Sequence, residues 1–108
     1  MTATIRIRAL NDDLRRSLSG GLAVMTPGVA ALGPEFVERA INAMAAFDDF
    51  HHGNDPYKRH DLGILDVDGK KVIFRIICFD KSLTRNSPDP SDPKVTERVI
   101  TLMLAEEY

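Results

Sequence analysis

Three histidines and a run of carboxylates crowd into one short stretch of this chain. His51, His52 and His60 fall within ten positions, interleaved with Asp55 and Asp61. Histidine and aspartate are competent metal ligands. A His-Asp pair can also act as a general base and its orienter. The stretch Asn54-Asp55-Pro56-Tyr57-Lys58-Arg59-His60-Asp61-Leu62-Gly63 leads straight into an apolar hairpin, and Asp80 follows that hairpin. If the strand pairing extends beyond Leu62, Asp61 falls opposite Ile76 and Asp80 comes near Tyr57. Asp61 and Asp80 would then share one sheet face at one end. The spacing matches no metal signature, and no His-Glu-x-x-His pattern is present. The simpler reading is a loop whose carboxylates accept hydrogen bonds.

The elements that position this stretch are legible in outline. Asp68-Gly69 separates two strand-like runs and is a favoured type I′ turn pair. A two-residue turn sets Val67 against Lys70, Asp66 against Lys71, Leu65 against Val72, Ile64 against Ile73, Gly63 against Phe74 and Leu62 against Arg75. Asp66 opposite Lys71 is a cross-strand charge pair. Gly63 leaves room for the Phe74 ring. Residues 72–79 are apolar on both faces apart from Arg75, which predicts a central strand. A lone arginine there needs a carboxylate, solvent, an anion or a protein partner.

Ahead of the hairpin, Ile7, Leu10, Leu14 and Leu18 predict a helix over 4–19, with Arg8, Asp12, Arg15 and Arg16 off its apolar stripe. Gly20-Gly21 is a natural stop. Residues 22–26 read as a short strand ended by Pro27-Gly28. Gly33-Pro34-Glu35 opens a second helix that runs to about Phe50. After the loop Ser87-Pro88-Asp89-Pro90-Ser91-Asp92-Pro93, Asp92 suits an N-cap and Pro93 a first helical position. Val95, Val99, Leu102 and Met103 then predict a third helix. The expected fold is α+β: a small two-layer domain in the order α-β-α-β-β-α. A three-stranded, mostly antiparallel sheet would carry the helices.

Composition narrows the function classes. At 108 residues and 44% apolar, the chain suits one domain that buries roughly two-thirds of its unfolded surface. The one cysteine, Cys78, excludes an internal disulfide and points to a reducing cytoplasm. On an apolar strand it reads as a small buried hydrophobe rather than a nucleophile. No apolar run is long enough to span a membrane, and the first residues lack the apolar stretch of a signal peptide. Net charge is −2, against broad phosphate-driven nucleic-acid binding. Basic residues still cluster at Arg6, Arg8, Arg15 and Arg16, and at Lys58 and Arg59. Ser19-Gly20-Gly21 is too short for a phosphate loop.

The segments "ALNDDLRRSLSGG", "TPGVAAL", "NDPYKRHDLGILDVDGKK", "SPDPSDP" and "ITLMLAEEY" resemble a small bacterial family known as domain of unknown function 3768, across nearly the whole chain. The family's pre-hairpin pattern is similar to Asn-Asp-Pro-x-Gly-Glu-His-Asp-Phe-Gly. Here Lys58-Arg59 replaces Gly-Glu and Leu62 replaces Phe, which argues against a carboxylate-driven enzyme. Cys78-Phe79-Asp80 stands where the family has a Tyr-Tyr-Asp-like run. The resemblance implies a gene carried on plasmids and other mobile elements, and implies no activity.

The expectation is a small interaction protein without catalysis or cofactor, binding a host or phage protein. An inhibitor of a host defence complex, of the anti-CRISPR or antirestriction type, is one form. Its expected binding residues are Asp55, Tyr57, Arg59, His60, Asp61, Arg75 and Asp80. Two alternatives stand beside it. One is a small enzyme or metal-binding protein using His60, Asp61 and Asp80. The other is a nucleic-acid accessory protein using the face from Arg6 to Arg16. Oligomeric state is not written in the sequence.

Overall fold

The computed structural model describes residues 2–108. Helix α1 (Ala3–Ser17) is capped by Thr2, whose hydroxyl accepts the Ile5 N–H at 3.2 Å. It ends where Leu18 turns left-handed and donates to the Leu14 carbonyl, two residues before the glycine pair. Strand β1 (Leu22–Met25) follows, then a short helix α2 (Pro27–Ala30) and helix α3 (Pro34–Ala46). Helix α3 stops four residues short of Phe50. Strands β2 (Leu62–Val67) and β3 (Lys70–Phe79) form the expected hairpin in the expected register. Asp68 and Gly69 sit at φ 53° and 79°, both positive as a type I′ turn requires.

The predicted third helix is a strand. Residues Glu97–Leu104 form β4, which pairs antiparallel with β3 and parallel with β1. The sheet therefore has four strands rather than three, in the order β1-β4-β3-β2, and it is mixed. The reason lies in the composition of this run. Val99, Ile100 and Thr101 are β-branched, stiff at χ1 and suited to a pleat. Arg98, Ile100 and Leu102 are buried while the residues between them are half-exposed. A run apolar on both sides satisfies the helical and the strand period together. Asp92 caps only a turn, accepting the Lys94 N–H at 2.9 Å.

All three helices pack on one side of the sheet. Leu14, Val29, Phe36, Ala40 and Met44 meet Leu65, Val72, Phe74, Ile76, Ile100 and Leu102 in one core. A Cβ at Gly63 would run into the Phe74 and Phe47 rings, so the glycine opposite Phe74 is a packing requirement. Among the described residues no α-helix packs on the other face; Tyr108, after a short 3-10 turn at Ala105–Glu107, lies beside Arg75 there, and Ile73 on that face is buried. Alternation and register place Leu22 and Val24 of β1, Val99 and Thr101 of β4, Arg75 and Ile77 of β3, and Leu62 and Ile64 of β2 on that face. Leu22, Val24 and Ile64 are 46%, 48% and 54% exposed.

Candidate functional site

Most of the polar residues singled out above hold the fold together. The loop before the hairpin is built around Asp55, which is buried. Its Oδ1 accepts the Arg59 and His60 N–H groups at 3.0 and 3.1 Å. Asn54 closes the preceding turn, accepting the His51 N–H at 2.8 Å and donating to the Asp49 carbonyl. Lys58 and His60 take left-handed φ values of 58° and 56°, and these bends swing the chain onto α1. There the His60 ring lies flat on Phe50, with centroids 3.9 Å apart. Its Nδ1 is 2.9 Å from an Asp12 oxygen and its Nε2 is 3.6 Å from Asp55. His60 is thus held between Asp55 and Asp12 of α1, and not beside Asp61 and Asp80 as expected; Asp12 lies off the apolar stripe of α1 and carries no signal of this contact.

Arg15 and Arg98 are larger omissions. Both are almost wholly buried. Arg15 Nη1 donates to the carbonyls of Met44, Ala45 and Phe47 at 2.7–3.2 Å, capping the C-terminus of α3, and Nη2 donates to Asp12 at 2.9 Å. Last-turn carbonyls welcome a cation. Burial opposes charge on Asp12, but the bonds from Arg15 and His60 prevail and hold its carboxyl below the ordinary range. Arg98 on β4 donates from Nε to Asn11 at 2.8 Å and from Nη2 to the Pro90 carbonyl. Burial lowers its pKa. The face from Arg6 to Arg16 is therefore not one basic track, because Arg15 points inward.

Asp80 is structural and stands apart from His60. It caps its own turn, accepting from Thr84 N–H at 3.0 Å, Ser82 Oγ at 3.0 Å and Arg85 N–H at 3.4 Å. These bonds, led by the Thr84 amide, lower its pKa. The end of β3 pairs Phe79 with Asn86 and not with the Tyr57 region, so the expected convergence of Asp61 and Asp80 does not occur. The Ser-Pro-Asp loop is also self-contained. Asp89 Oδ1 accepts both Ser91 donors, and Thr96 Oγ1 donates to the Asp89 carbonyl at 2.8 Å.

The histidines do not assemble a metal site. His51, His52 and His60 line one shallow depression with Arg8, Asp55 and Lys58. His51 Nδ1 is engaged by the Gly53 N–H at 3.2 Å, and His60 faces its carboxylates. Among the described residues, no three His, Cys, Asp or Glu side chains are placed to share an ion.

What remains uncommitted gathers in a cavity of about 430 Å³ at the edge of β3. The register does extend past β2, as predicted: the Ile76 N–H donates to the Asp61 carbonyl at 2.8 Å. Chain departure at His60 then opens a notch between Asp61 and the loop that returns at Ser87. Arg59, Asp61, Arg75, Cys78, Asn11 and Tyr108 are among its walls. Burial raises the pKa of Asp61, with its own amide and then Arg59 and Arg75 among the opposing influences. Burial likewise pushes the Cys78 thiol up, so it lacks the thiolate character of a nucleophile. The Arg59 guanidinium lies over Tyr57 and that of Arg75 over Tyr108, each 5.9 Å from the ring centre.

Residues 25–107 match the family described as protein of unknown function, DUF3768. The chain belongs to that family. No curated protein and no solved structure matches it. Several family-like segments quoted above now have structural explanations. "NDPYKRHD" is the Asp55 loop and the His60 latch, and "SPDPSDP" is the Asp89 turn that receives Arg98. "TPGVAAL" and the closing "AEEY" meet at Glu107. Its Oε1 accepts from Thr26 Oγ1 at 2.6 Å and Leu104 N–H at 2.8 Å. Among the described residues, no helix is long and apolar enough to cross a membrane.

Proposed function

We propose that the protein is a non-catalytic interaction module that binds another protein through the uncovered sheet face and the notch at its edge. The observation that carries this reading is the sheet face itself. A four-stranded sheet buries one side under three helices and leaves Leu22, Val24 and Ile64 about half exposed on the other. Exposed apolar side chains on a sheet face with no α-helix over it suit a protein partner. Arginine and tyrosine, the types enriched at interface hot spots, are present as Arg75 on that face with Tyr108 beside it, and as Arg59 with Tyr57 at the notch. An inhibitor of a host defence complex, encoded on a mobile element, is one form such a module takes, and that form rests on the family resemblance.

Affinity capture from the source cell, followed by mass spectrometry, tests the reading. The wild-type chain should retain a protein that the Ile64→Lys variant releases. Identical retention by both would overturn the assignment of this face. A second reading has one observation in its favour: Asp61, with its raised pKa, sits in a cavity as an acid or base would. Turnover or ligand binding lost in Asp61→Asn, with the partner still captured, would favour it.

A further inference from the structure

The notch beside the uncovered face holds two arginine side chains that no ion pair engages. Arg59 and Arg75 both line it. Neither guanidinium forms an ion pair or a side-chain hydrogen bond among the described residues, where the six ion pairs use other cations. Asp61 is the acidic side chain in the same wall. Two arginine side chains therefore face one acidic side chain. Each guanidinium carbon lies 5.9 Å from the centre of a tyrosine ring, Arg59 over Tyr57 and Arg75 over Tyr108. Their N–H donors are free for an acceptor with two oxygens.

We infer that this notch takes a carboxylate side chain from an acidic segment of a partner protein, clamped between Arg59 and Arg75, with neighbouring apolar residues of that segment lying on the sheet beside Leu62 and Ile77. This rests on the docking reading above and names the chemistry of the partner. Two guanidiniums with unused donors suit one carboxylate. They do not suit a nucleic-acid backbone, which needs a track of cations along successive phosphates, whereas this chain has a net charge of −2. Asp61 works against the bound acid as a like charge nearby. Removing its charge should therefore tighten binding, which is the opposite of what a direct contact with a ligand cation would give.

The experiment uses random linear peptides displayed on phage, selected against the whole chain. Enriched peptides should carry Asp or Glu next to apolar residues. Synthetic copies should bind about tenfold more weakly when that acid is replaced by Ala, a loss of about 1.4 kcal/mol. Arg75→Ala and Arg59→Ala should weaken binding by a similar factor, Asp61→Asn should strengthen it, and added salt should weaken it. Thermal melts check that each variant is folded, and Arg75→Gln provides a second substitution that keeps the side-chain length. Peptides enriched without an acid, or binding weakened by Asp61→Asn, would overturn the carboxylate clamp. Displacement of the acidic peptide by an equal concentration of a single-stranded oligonucleotide would overturn it in favour of phosphate. Loss of binding in Ile64→Lys but not in the arginine variants would remove the clamp and leave the docking face standing. Failure to enrich any peptide would overturn an acidic linear segment as the occupant, while cell capture still tests the face.

Discussion

His60 lies face to face on Phe50, with ring planes within 5° of parallel, and this contact fastens the pre-hairpin loop to the helical layer. Phe50 in turn meets Phe47 edge-on at 4.9 Å, and Phe47 meets Phe74 of β3 at 5.3 Å. A chain of rings thus runs from a polar loop into the core. His60→Ala removes the stack and both carboxylate contacts, and should destabilise the protein by about 1–3 kcal/mol. His60→Phe keeps the stack and loses only the polar contacts, so its melting temperature should fall between those of wild type and His60→Ala. A melting temperature for His60→Ala equal to wild type would show that the loop is not fastened there.

The bonds that depress the Asp12 pKa make a pH prediction with a definite sign. A carboxyl whose folded pKa is lowered contributes stability above its unfolded pKa, and that contribution is lost as pH falls through the folded value. Asp12→Asn should melt below wild type at neutral pH, and the two curves should converge as pH drops below about 4. Curves that stay parallel down to acid pH would assign the loss to packing and not to the charge.

Asp61 and Asp80 should part company in thermal melts. Asp80 accepts two backbone amides and two hydroxyls, so Asp80→Ala should lower the melting temperature. Asp61 has a raised pKa because burial penalises its charge. Its ionisation therefore costs stability as pH rises through the folded pKa, and Asp61→Asn should be at least as stable as wild type at neutral pH. A clear drop for Asp61→Asn would make it a structural residue and remove it from the proposed binding surface.

Arg15 carries a prediction that no reading of an exposed basic face would make. Its side chain satisfies three carbonyls at the end of α3. Arg15→Ala strips those acceptors and leaves a void beside Phe50, which should cost about 2–4 kcal/mol. Arg16→Ala, one position along on the exposed side, should change stability by less than about 0.5 kcal/mol. Equal effects in urea unfolding would refute the inward placement of Arg15.

At the turn, Gly69 sits at φ 79°, where a β-branched side chain is strained. Gly69→Val should destabilise the fold by roughly 1–3 kcal/mol. An unchanged melting temperature would refute the type I′ assignment.

Short-range signals determined much of this protein before any tertiary contact is considered. Asp68-Gly69 specifies a turn of two residues, and a two-residue turn leaves one register, so Gly63 against Phe74 and Asp61 against Ile76 follow from counting. Pro34 and the apolar spacing of α3 work the same way, because helix starts and stripes are properties of adjacent residues. Tertiary structure decided the rest. The run from Val99 to Leu104 is apolar at both periods, and it became a strand because β1 and β3 were there to satisfy its amides. Arg15 and Arg16 look alike in the sequence, and only one is buried, because the carbonyls that receive Arg15 lie 29 to 32 residues away. Asp61 and Asp80 were expected together and lie in different environments, because the left-handed bends at Lys58 and His60 carry the loop to α1 instead of along β3. Backbone conformation at a few non-glycine positions and the pairing of distant groups leave no mark on local composition, and the cavity between Arg59 and Arg75 is made by both.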